Sequence, residues 1–139
     1  MLKRRKIVFM VLLAVFAISV FAVLLFRNGQ GTEPEVLFVS NSEARERMAG
    51  HPEAFILDVR SPEEFNVLRI PGSINIPHSL IASYVHLLPQ DKNALIFAYC
   101  RTGVRVRTAV YALLDMGYTN IVVFPGMATW DYETVASTD

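Results

Sequence analysis

The chain has 139 residues, 53% of them hydrophobic and 19% charged, with a formal net charge of +0 and one cysteine. This length holds one modest domain with its own core and leaves no room for a second. A lone cysteine excludes an internal disulfide framework and any cysteine-rich zinc or iron–sulfur site, and three scattered histidines offer no replacement metal cluster.

Charge is unevenly spread. Lys3, Arg4, Arg5, Lys6 and Arg27 all precede the first acidic residue, Glu33. The remainder carries eight cations against 13 anions, a net of −5, with no broad basic face for nucleic acid. After a basic tip at residues 1–6, residues 7–26 contain no charge, no Gly and no Pro, and Ser19 is their only polar side chain. As a helix this run would measure about 30 Å, the thickness of a bilayer core, so it is expected to be a transmembrane anchor. A cleaved signal peptide needs a shorter apolar region and small residues at its end, whereas this run ends Leu24-Leu25-Phe26-Arg27. Four cations precede the run and one follows it, which predicts a cytoplasmic N-terminus. The C-terminal domain would then be periplasmic or otherwise extracytoplasmic. Residues 27–34 read as a short polar linker rich in turn formers.

The domain itself occupies residues 35–139. Val36–Val39 predicts a strand, and Ser40 with Glu43 has capping-box spacing for a helix running to about Ala49. Phe55–Leu57 predicts a second strand ending at Asp58. Ser61-Pro62-Glu63-Glu64 opens a second, short helix, with Glu63 and Glu64 serving as helix N-terminal charges. Ile74–Ile76 is a brief strand ended by Pro77, and Ser79 opens a helix through Leu87 or Leu88, stopped by Pro89. Ala94–Tyr99 is the most strand-like run. Val106, Ala109, Val110, Leu113 and Leu114 have helical spacing over 106–116, with Gly117 as the stop. Ile121–Phe124 is the last strand, followed by a Pro125-Gly126 turn and a segment whose Trp130 is expected to pack on the core. Near-continuous apolar strands alternating with helices predict an α/β domain with a largely parallel sheet covered on both faces.

One loop carries chemistry. A strand ends at Cys100, and a helix begins a few residues beyond it, where ligand sites of open α/β sheets lie. Peptide N–H groups and a helix N-terminus converging there favour an anion, Arg101, Arg105 and Arg107 add positive charge, and Gly103 permits a tight curl. Such a field favours a thiolate nucleophile. An inert buried cysteine is the bland alternative. The two arginines and the glycine that follow Cys100 so closely argue against it.

Cys100-Arg101-Thr102-Gly103-Val104-Arg105 resembles the active-site loop of single-domain rhodaneses, C-R-S/T-G-x-R. Leu57-Asp58-Val59-Arg60, Glu64-Phe65 and Ile70-Pro71-Gly72-Ser73-Ile74-Asn75-Ile76-Pro77 look like further family segments. So do Gly117-Tyr118-Thr119-Asn120-Ile121 and Pro125 to Trp130. The resemblance spans about residues 35–135 and implies a three-layer α/β domain with about five mostly parallel strands. It also implies a sulfurtransferase. A Cys100 thiolate would take a sulfane sulfur from a small anionic donor such as thiosulfate and pass it to a thiol or cyanide, with no cofactor and no metal. Loop N–H groups from Arg101 to Arg105, through Thr102, Gly103 and Val104, would steady the persulfide. Arg101 and Arg105 would hold the donor, while Asp58 and Arg60 would tie loops together in support. Four residues separate Cys100 from Arg105, where related phosphatases have five and room for a tetrahedral oxyanion.

The sequence departs from the family at Leu68-Arg69, where Gly-His is common, at Val104, where a small or polar residue is usual, and at Val106, where Ser or Ala is common. Apolar side chains at 104 and 106 would suit an alternative: a catalytically inactive binding or redox-sensing module with a protein partner. His51, His78 and His86 are expected in surface or turn positions.

Overall fold

A computed structural model describes residue 10 and residues 12–22 and 33–137. The chain separates into two compact units, Met1–Thr32 and Glu33–Asp139. In the first, residues 12–22 are helical and exposed. The hydroxyl of Ser19 donates back to the Phe16 carbonyl at 2.7 Å, so the one polar side chain of the apolar run is satisfied internally. Among the described residues no helix is long and apolar enough to cross a membrane. The rest of the expected anchor over 7–26 lies outside the described residues, as do the basic tip 1–6 and linker residues 27–32.

In the second unit, strands β1 (Glu35–Phe38), β2 (Phe55–Asp58), β3 (Ile74–Asn75), β4 (Ile96–Cys100) and β5 (Asn120–Gly126) form one five-stranded sheet in the order β1-β5-β4-β2-β3. Every pairing is parallel. The central strand β4 is buried at all five positions. Side chains alternate across it: Ile96, Ala98 and Cys100 join one apolar cluster, Phe97 and Tyr99 the other. The first cluster is roofed by Val106, Ala109, Val110 and Leu113 of helix α3 (Arg105–Asp115), and the second by Ala44 of helix α1 (Asn41–Gly50). This is the expected three-layer α/β arrangement with five strands.

Helix ends follow the sequence chemistry, with two differences. Helix α2 (Pro62–Val67) has the full capping box: the Ser61 hydroxyl accepts from the Glu64 N–H, and the Glu64 carboxylate accepts from the Ser61 N–H. Helix α1 has half of one. Ser40 accepts from the Glu43 N–H, but the Glu43 carboxylate pairs with Arg47 one turn on. Helix α3 closes in a Schellman motif, with Tyr118 N–H on the Leu113 carbonyl and Gly117 N–H on that of Leu114. The helix expected from Ser79 is instead a 3-10 helix, Ile81–Leu87, kinked at Tyr84 and without a side-chain cap. Of its residues only Ile81 is buried, so little packing favours a full α-helix there.

The Pro125-Gly126 pair, read as a turn, is the end of β5. Gly126 faces Cys100 across the sheet, next to a register shift between Tyr99 and Cys100. Its φ is +89°, and a β-carbon there would lie 2.2 Å from the Cys100 carbonyl oxygen. Backbone conformation and space both demand glycine. Buried Asn41 clamps the same residue: its Oδ1 accepts from Gly126 N–H at 3.0 Å and its Nδ2 donates to the Gly126 carbonyl at 2.9 Å. Gly126→Ala is expected to destabilise the fold by about 2–4 kcal/mol, through the clash and the unfavourable φ. Urea unfolding checks this; an unchanged midpoint would show that the sheet end yields freely.

Candidate active site

The chain runs outward from β2 to β3, returns to β4, and then moves the other way to β5. A crevice therefore opens beyond the C-terminal ends of β2 and β4, the usual ligand position in such sheets. Asp58 ends β2 and Cys100 ends β4, so the geometry gathers the two sides of the candidate site.

Cys100 is a free thiol, 1% exposed. Its Sγ accepts the Gly103 N–H at 3.1 Å. Gly103 adopts φ +84°, a conformation that turns the loop back over the sulfur. Of the loop N–H groups expected to face the sulfur, this is the one the structure shows hydrogen-bonded to it. Helix α3 starts immediately afterwards; Val104 at its N-cap supplies no side-chain hydrogen bond, and its carbonyl accepts from the Arg107 N–H at 3.3 Å.

The loop side chains part company. Val104 is 70% exposed, whereas Val106 is fully buried under α3. The expectation that both present an apolar docking surface is corrected for Val106, whose helix phase turns it into the core. Arg101 and Thr102 are exposed, and Arg101 makes no ion pair among the described residues. Arg107 is exposed too, on the outer side of α3 beside Val110 and Tyr111, in an apolar groove that includes Phe38. Arg105 is held by both oxygens of Glu64, at 2.5 and 2.8 Å.

That pair is the main site feature that sequence reasoning missed. Glu64 is more than a helix-terminal charge. It sits at the third position of α2, where the capping box already orients its carboxylate, and from there it receives the Arg105 guanidinium. Hydrogen bonds from Arg105 pull the Glu64 pKa from its ordinary 4.5 down to about 2, against the opposing effect of burial. The Arg105 pKa is raised, first by the Glu64 hydrogen bonds and also by the charge of Cys100. Two parallel bonds fix the direction of a guanidinium as well as its position.

Beneath this lies a second pair, almost wholly removed from water. Asp58 is 0% and Arg60 5% exposed. The Arg60 N–H and Nε donate to Asp58 Oδ1 at 2.9 and 3.0 Å, and Nη2 donates to Oδ2 at 2.6 Å. Nη2 also reaches the Leu68 carbonyl, and Asn75 donates to the backbone carbonyls of both Asp58 and Arg60. Burial opposes the Arg60 charge, but Asp58 outweighs it and the Arg60 pKa rises. The Tyr99 hydroxyl accepts from the Ile70 N–H and donates to Ser73. Its pKa is pushed up by burial and by the Asp58 charge. These contacts place Asp58 and Arg60 as a tie between β2, the loop after α2, and β3.

His51 and His86 are exposed and His78 is half-buried. Trp130 packs on Phe124, with ring centroids 5.6 Å apart. No group of metal-ligating side chains occurs among the described residues.

A free cysteine at a strand end, a backbone N–H on its sulfur and a carboxylate-paired arginine in the same loop are the features this crevice brings together. The rhodanese-like domain model matches residues 40–131, and the chain belongs to that family. It is 36% identical over 90 residues to a probable adenylyltransferase/sulfurtransferase, MoeZ, of Mycobacterium tuberculosis, covering 63% of this chain and 22% of that protein. The chain thus spans about a fifth of such multidomain relatives. It is 31% identical over 120 residues to the thiosulfate:glutathione sulfurtransferase of Saccharomyces cerevisiae, covering 72% of this chain and 86% of that one. A rhodanese-like domain protein of Staphylococcus aureus superposes with a TM-score of 0.64 at 26% identity, over 73% of this chain and 99% of that one. Named sulfurtransferases recur among the relatives that the chain resembles.

Because the Glu64 pKa is lowered in the folded state, its pairing adds stability above about pH 4.5, and that stability is lost as pH falls through about 2. Glu64→Gln is therefore expected to unfold at lower urea concentration than the unaltered chain at pH 6, with the gap closing below pH 4.5. A gap constant from pH 6 to pH 2 would show that the loss has another cause.

Proposed function

We propose that the chain is a sulfurtransferase that carries sulfur as a persulfide on Cys100. The observation that carries this reading is the Cys100 Sγ under the Gly103 N–H at 3.1 Å, in a loop that ends at the paired Arg105. Thiosulfate suits the site as donor. The Cys100 thiolate attacks its outer sulfur, a new S–S bond forms, and the old one breaks as sulfite leaves with the bonding electrons. A thiolate acceptor, or cyanide, then attacks the outer sulfur of the persulfide and releases the Cys100 thiolate. Arg105 is committed to Glu64, which leaves exposed Arg101 as the loop cation available to the incoming anion. The Gly103 N–H aimed at the sulfur stabilises charge in both the thiolate and the persulfide.

Exposed Val104 favours a second reading, in which the loop docks on a protein partner and turns over little sulfur. The two readings separate on intact mass after brief exposure of the full chain to thiosulfate. Persulfide formation adds about 32 Da, which cyanide removes and which Cys100→Ser lacks. No adduct with thiosulfate, mercaptopyruvate or polysulfide would sink the enzyme reading and leave the docking one.

Residues 7–26 are proposed as a single-pass anchor with a cytoplasmic basic tip and the catalytic domain on the far side. The uncharged apolar run, the cations ahead of it and the internally bonded Ser19 support this. The full chain should stay with membranes through an alkaline carbonate wash, and replacing two central leucines of the run, Leu12 and Leu13, by aspartate should release it. Release of the unaltered chain would refute the anchor.

A further inference from the structure

We propose that residues 132–137 form a strap that positions Arg105 at Cys100 by holding helix α2, with Arg69, Val135 and Ser137 as positioning residues. This rests on the reading of Cys100 as a thiolate that meets anionic reagents.

Helix α2 carries Glu64, yet it has six residues and none of them is buried. So short a helix has little stability of its own, and no apolar face locks this one to the sheet. At its start it is held by the capping box and by the pair with Arg105. Near its end Arg60 takes the Leu68 carbonyl. Further hydrogen bonds come from 135–137. Val135 and Arg69 exchange both backbone hydrogen bonds, each at 2.9 Å, as an isolated antiparallel bridge. The Ser137 N–H donates to the Asn66 carbonyl at 2.9 Å, and the Ser137 hydroxyl bonds the Asn66 side chain at 3.2 Å. The Arg69 guanidinium donates to the Ser137 hydroxyl at 3.0 Å and lies 4.7 Å from the centre of the Phe65 ring.

The other end of the same segment is tied to the catalytic loop. It leaves the sheet at Gly126, opposite Cys100, and the Ala128 N–H donates to the Arg101 carbonyl at 2.8 Å. In between, Trp130 stacks on Phe124, its indole N–H donates to the Glu133 carbonyl, and Tyr132 meets the Trp130 edge with Arg45 over its ring. The chain from 126 to 137 therefore joins the two bodies that Glu64 and Arg105 join, by a separate route. The family match covers residues 40–131, so Val135 and Ser137 lie outside the matched residues.

The test compares alkylation of Cys100 in the full chain by iodoacetate and by iodoacetamide. Both form the same S–C bond and expel iodide, but only the first is an anion, so their rate ratio reads the positive field at the sulfur and cancels changes in thiolate fraction. Val135→Pro removes the N–H of the bridge. It is expected to lower the ratio about threefold, and to leave it unchanged when Glu64→Gln is already present. Should thermal melting show that Val135→Pro fails to fold, Ser137→Ala, which breaks the hydroxyl contacts to Arg69 and Asn66, is expected to act in the same direction and through the same background. An unchanged ratio, or an equal fall with and without Glu64, overturns the strap. Sulfur uptake from thiosulfate plays no part in this measurement, so failure of the sulfurtransferase reading shows separately, as a missing mass adduct.

Discussion

Arg60 and Asp58 are charged groups almost wholly removed from water, and the crevice above the sheet is organised around them. Desolvating two ions costs several kcal/mol each, and only good geometry returns it. Here the carboxylate takes the backbone N–H and the guanidinium of the same arginine, and no buried side-chain polar atom among the described residues is left unpaired. Such a pair adds little net stability, but it permits few alternative arrangements. It sets where the chain leaves β2, where Leu68 lies after α2, and where Asn75 reaches in from β3.

On that platform the Cys100 loop needs few parts. Parallel pairing of β4 with β2 and β5 brings Cys100 to the crevice floor, and the close approach of Gly126 lets the sheet end curl. Arg105 is then aimed by a carboxylate from across the crevice instead of being left to solvent. The two loop arginines are thereby set apart: Arg101 is exposed and makes no ion pair among the described residues, while Arg105 is fixed against Glu64. Both oxygens of Glu64 bond the one guanidinium, which fixes its direction as well as its position.

Much of this was legible before folding was considered. The alternation of apolar runs with helical spacing, the capping box at Ser61, and the stop at Gly117 depend on neighbours in the chain, and all three hold. The cysteine loop was legible for the same reason, because its atoms come from six consecutive residues. Less legible was the segment from Ser79, where helix-forming residues give a 3-10 helix because little of it is buried. The inward turn of Val106 was missed as well. The helical spacing over 106–116 already placed Val106 on the apolar face and left Val104 out, but its place beside the cysteine loop was given more weight than that phase.

By itself, the sequence determined the fold class, the position of the lone cysteine at a strand end, and the excess of positive charge in its loop. These are properties of short stretches, settled by periodicity, turn chemistry and composition. Only the tertiary structure decided which groups meet those residues. Glu64 and Arg105 are 41 positions apart, and Asn41 and Gly126 are 85 apart. Each pairing needs a strand register and a helix position that arise only when the whole sheet closes, because a hydrogen bond forms over about 3 Å and separation along the chain carries no information at that scale.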